Sequence, residues 1–126
     1  MKIERKSEGK LAVVVALSGN IQGGPDADLF DKAVDELVGE GRSNVLLEMS
    51  KVRWINSTGL GILIRGHKTL KDKGGAMKIV NLSERIDNLF SVTKLNLVFE
   101  VFTDEVAALR SFRPPEDAST KSGATK

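Results

Sequence analysis

Cysteine and tyrosine are absent from this chain, and tryptophan and histidine occur once each. Without cysteine there is no disulfide, no thiol nucleophile and no thiolate ligand for zinc. One histidine and scattered carboxylates do not build a transition-metal site, so neither a metal nor another cofactor is expected. Few aromatic side chains are available to stack on bases, and a net charge of +2 is too small to call for a polyanion. Direct contact with nucleic acid is therefore not expected. No apolar run approaches the roughly 20 residues of a membrane-spanning helix. The opening residues Met1, Lys2, Ile3, Glu4, Arg5 and Lys6 lead into no signal-like apolar stretch. No membrane contact is expected, and the cytoplasm is the expected compartment.

What is present is an ordinary globular composition, 40% hydrophobic and 29% charged over 126 residues, enough for one domain with its own core. Strands are expected at residues 2–7 and 11–17, the second nearly all apolar and so buried on both faces. Residues 19–25 form a loop of turn formers ending at Pro25, which starts a helix whose stripe is Leu29, Phe30, Ala33, Val34, Leu37 and Val38. A short buried strand follows at 44–48, then a connection at 49–56. A helix runs from about Thr58 to Lys73, with Leu60, Leu63, Ile64, His67 and Leu70 on one side. A strand at 76–80 leads to a helix capped by Ser83, with Ile86, Leu89 and Phe90 facing inward. A last strand is read at 97–102, and a last helix capped by Thr103 carries Val106 and Leu109. This order predicts an α/β fold, a mixed and mainly parallel sheet of four to five strands with about four helices. The domain is expected to span residues 1–112. Residues 113–126, opening Arg113-Pro114-Pro115, have nothing to bury and are expected to be a disordered tail.

The stretch Trp54-Ile55-Asn56-Ser57-Thr58-Gly59-Leu60-Gly61 stands out. An apolar approach gives way to three polar residues, and a helix then begins with glycines at 59, 61 and 66. Glycine costs roughly 1 kcal/mol relative to alanine inside a helix, so close approach by something else is expected there. The order Ile55-Asn56-Ser57-Thr58-Gly59 lacks the first glycine of a nucleophile elbow. His67 lies about 15 Å along the same helix at 1.5 Å per residue and is no base for Ser57. The dinucleotide and Walker glycine patterns also fail. An enzyme is therefore not expected, and two uses remain for Ser57. It is a simple helix cap, or it is a modification point where a phosphate meets the helix dipole and alters docking. The back of this helix, with Arg65, His67, Lys68, Lys71 and Lys73, reads as a solvated basic face.

The run Glu48-Met49-Ser50-Lys51-Val52-Arg53-Trp54-Ile55-Asn56-Ser57-Thr58-Gly59-Leu60-Gly61 resembles the signature of the STAS domain, the fold of bacterial anti-sigma-factor antagonists. Ser50, Val52, Trp54, Ile55, Ser57, Thr58, Gly59, Leu60 and Gly61 match it. Leu17-Ser18-Gly19, Gly74-Gly75 and Leu89-Phe90 extend the resemblance over about residues 3–112. It implies a protein that binds an anti-sigma factor of the histidine-kinase-like ATPase type. That partner phosphorylates the serine matching Ser57, and a PP2C-type phosphatase reverses the step. The implied contact surface is Gln22, Gly23, Gly24, Asn56, Ser57, Thr58, Gly59, Gly61, Arg65 and Lys68, with Gly59 and Gly61 keeping the helix start bare. The sequence departs from the pattern at Asn56, where the family usually has aspartate, and near Gln22, where an acidic residue is frequent. An unswitched scaffold subunit of a signalling assembly or a lipid transporter is the alternative implied by those amides. Oligomeric state is left open.

Overall fold

The computed structural model describes residues 1–112, and the expected disordered tail lies outside the described residues. Strands β1 (Lys2–Glu8) and β2 (Val13–Ile21) make an antiparallel hairpin. β3 (Asn44–Ile55), β4 (Ala76–Val80) and β5 (Val101–Phe102) then add in chain order, all parallel, to complete a five-stranded sheet. The helices are α1 (Pro25–Gly39), α2 (Ser57–Asp72), α3 (Glu84–Val92) and α4 (Glu105–Arg110). The mixed, mainly parallel α/β sheet with four helices is the fold expected from the sequence.

Period-two alternation sorts the strand residues between two apolar clusters. Val13, Val15, Leu17, Val45, Leu47, Met77 and Ile79 meet Phe30, Val34 and Leu37 of α1, Leu60, Leu63 and Leu70 of α2, and Ile86 and Phe90 of α3. Ala12, Val14, Leu46 and Val80 face the other way, onto Ala108 of α4 and Phe112. Each of the large side chains in these clusters contributes on the order of 1.5–3 kcal/mol by leaving water.

Several boundaries differ from expectation. β2 runs on to Ile21, and β3 runs through the connection read at 49–56, because both extend as a parallel pair as far as Ile21 opposite Ile55. Of the strand read at 97–102 only Val101–Phe102 is β5: Leu95–Leu97 forms a 3-10 turn, and Leu95 and Phe99 are buried. Asp104, not Thr103, caps α4, accepting from Val106 N, and Val106 itself is exposed while Ala108 is buried. In α1, Leu29 falls outside the buried stripe. Ser83 caps α3 as expected, accepting from Ile86 N at 3.3 Å.

Candidate functional site

Level strand ends bring two loops together. Ile21 and Ile55 are register partners, so the turn after β2 and the start of α2 are neighbours although far apart in sequence. The Asn56 N–H donates back to the Ile21 carbonyl at 3.3 Å. Gly23 has φ +107° and is buried, and a Cβ there would come within 2.6 Å of the Thr58 methyl. The turn is held from its other side by Asp26, whose carboxylate accepts from Gln22 N at 3.0 Å. Gln22 and Gly24 are exposed at its crest.

The cap of α2 is Asn56, not Ser57. Asn56 has extended backbone, and its Oδ1 accepts from Gly59 N at 2.8 Å. Ser57 is thereby pushed to the first helical position. It is exposed, and its hydroxyl makes no hydrogen bond among the described residues. Gly59 does not keep the helix bare: it is buried, and a Cβ would collide with the Ile21 carbonyl oxygen. Gly66 likewise makes room inside the fold, for Phe30 and Met77. Gly61 alone of the three has open space around its Cα.

The outward stripe of α2 follows helical spacing: Ser57, Gly61, Ile64 and Lys68. Ile64, read from the sequence as inward, is 39% exposed, while Ile62 and Gly66 take inward positions. The basic face is largely engaged. Arg65 makes a two-pronged bond to Asp31 of α1, at 3.2 Å and 2.9 Å, and that carboxylate raises the guanidinium pKa. Lys68 pairs with Asp72 at 3.4 Å. His67 is half-buried, with Nδ1 accepting from Met77 N at 3.4 Å and its ring 5.0 Å from that of Phe99. Burial, and then the charge of Lys71, lower its pKa from 6.5.

The motif divides into a supporting half and a presenting half. Glu48 is buried, and its carboxylate accepts from Ser50 Oγ at 3.0 Å and from Asn81 Nδ2 at 2.9 Å. The bond from Asn81 ties β3 to the turn after β4. Of the residues expected at a contact surface, Gln22, Gly24, Ser57, Thr58, Arg65 and Lys68 are exposed, Asn56 and Gly61 are half-buried, and Gly23 and Gly59 are buried. Sequence reasoning left Ile64 and Trp54 out of this surface. Their signal was an apolar residue at an outward position, which a helix or strand template reads as inward. Among the described residues no cluster of three or more His, Cys, Asp or Glu side chains is placed to hold a metal.

Comparison with known proteins gives this arrangement its family. The STAS domain matches residues 3–108. The chain belongs to the STAS domain family. A candidate anti-sigma factor antagonist homologue from Thermotoga neapolitana is 32% identical over 78 residues, 61% of this chain and 69% of the relative. The crystal structure of a candidate anti-sigma factor antagonist from Thermotoga maritima superposes with a TM-score of 0.75 at 25% identity, over 88% of this STAS chain and 94% of the other. The Bacillus cell fate determinant SpoIIAA in its phosphorylated form shares the STAS fold, with a TM-score of 0.65 at 16% identity over 86% and 98% of the two chains. No helix among the described residues of this STAS domain is long and apolar enough to cross a membrane.

Proposed function

We propose that this STAS domain is an anti-sigma-factor antagonist, a regulator that binds an anti-sigma factor of the histidine-kinase-like ATPase type and is switched off by phosphorylation of Ser57. The observation that carries this reading is the placement of Ser57: exposed, unbonded and at the first turn of α2, with Asn56 already doing the capping. A hydroxyl not needed by the fold is free for modification. A phosphate there adds about −1.5 to −2 charge at a helix N-terminus that tolerates it, so the domain stays folded. The same charge appears in the middle of Gln22, Thr58, Gly61 and Ile64, a neutral surface suited to close contact. Names of relatives from Thermotoga support the antagonist role, and a PP2C-type phosphatase is the matching reverse activity. Asn56 and Gln22, amides where the family often has acids, favour a second reading as an unswitched binding subunit.

The test combines modification and binding. Incubation with ATP and the purified kinase-type anti-sigma factor should place phosphate on Ser57, located by mass spectrometry. Ser57→Ala should keep wild-type affinity, and Ser57→Asp should lose at least about tenfold, the scale of a mispaired interfacial charge. Phosphate found only elsewhere, or equal binding by both variants, would leave the unswitched reading standing. Nucleotide turnover by this domain alone would overturn both.

A further inference from the structure

Beside the Ser57 surface lies an apolar groove of about 320 Å³ between the end of β3 and α3, lined by Trp54, Ile55, Arg85, Ile86, Leu89 and Val92. Trp54 is 42% exposed and Val92 79%. Leu97 and Val98, in the turn that follows α3, are exposed as well. Arg85 lines the groove. Arg5, Arg42 and Arg65 all meet carboxylates, whereas Arg85 meets none among the described residues. The α3 carboxylates Glu84 and Asp87 sit in that helix's first turn and do not pair with it.

We propose that this groove is a second anchor for the anti-sigma factor, taking an apolar side chain of that partner with a carboxylate beside it to meet Arg85. This rests on the function proposed above and says where the partner's remaining contact lies. Charge complementarity selects an acidic occupant. A second copy of this chain fits less well, because a two-fold contact sets each patch against itself and brings the arginines together. Continuity selects the same partner, since Trp54 and Ile55 lead straight into Asn56 and Ser57. The groove holds no phosphoacceptor of its own, so its contact outlasts phosphorylation. Modified antagonist is held weakly rather than released outright.

Calorimetric titration of the purified kinase-type anti-sigma factor into the full chain separates the possibilities. Val92→Asp should lose at least about tenfold in affinity, as expected for an apolar anchor. Arg85→Glu should lose roughly three- to tenfold and flatten the salt dependence. Ser57→Asp should retain weak binding that Val92→Asp, added to it, removes. Circular dichroism should show all of them folded, since these side chains are exposed. Wild-type affinity in Val92→Asp and Arg85→Glu, alongside a weakened Ser57→Asp, would overturn the groove and leave the antagonist reading intact. No binding by the wild type would overturn that reading and the anchor with it. A wild-type dimer in sedimentation equilibrium that Val92→Asp dissociates, with partner affinity unchanged, would assign the groove to a second copy and overturn the proposal.

Discussion

Asn56, Ser57 and Thr58 are three consecutive residues of capping type, and the backbone decides which one caps. Asn56 has the extended conformation of a cap, with φ −104° and ψ −178°, and its amide oxygen reaches Gly59 N. Sequence alone located this helix start to within a residue but gave the bond to the wrong side chain, because all three carry a suitable oxygen. Asn56→Ala should cost about 1 kcal/mol in urea unfolding, and Asn56→Asp should cost little, since a carboxylate caps as well. Gly59→Ala should cost more, roughly 1–3 kcal/mol, because the new methyl would meet both the Ile21 carbonyl and the Ile55 side chain. The excess of glycine was visible in the sequence. Its cause was not, because the neighbour that needs the space is far away in the chain.

At the scale of elements, legibility follows periodicity. The helices whose apolar residues fall at spacings of three and four, and the strands buried on both faces, stand where the pattern puts them. The second half of β3 escaped because Ser50, Lys51, Arg53 and Trp54 are exposed and its pairing with β2 is irregular, which breaks the alternation. The 95–99 run escaped because Leu95 and Phe99, four apart, reach the core with helical spacing. α2 carries a prediction that belongs to its inner side. His67 is an acceptor for Met77 N and lies against Phe99, so it is held neutral, with its pKa lowered chiefly by burial. The unfolded chain takes up this proton first as pH falls. The stability from neutral His67 is therefore complete above the unfolded value of 6.5 and drains away as pH drops through the lower folded value. His67→Gln keeps an acceptor without a titrating ring. Denaturant titrations between about pH 7 and pH 5 should show a flatter stability profile for it than for the wild type.

Across the whole molecule, the succession of elements, the mixed and mainly parallel sheet and the helix count could be read from the sequence, but the order of strands in the sheet comes from the structure. The contact of residues 22–24 with 56–61 depends on the register of Ile21 with Ile55. The structure also shows β3 outrunning β4, which pairs with it only from Asn44 to Glu48 and then turns away at Asn81, where φ is 64°. Residues 49–55 thus have a strand neighbour on the β2 side alone, with α3 covering part of the other. A half-open backbone of this kind is a template on which further strands can grow into insoluble aggregate, and charged side chains are the usual guard against it. Lys51 and Arg53, both exposed, occupy that position. Replacing the two together by threonine should leave the melting temperature nearly unchanged yet raise light scattering steeply with concentration. The same strand that leads into Ser57 has to be kept from polymerising, and these two cations are the guard it carries.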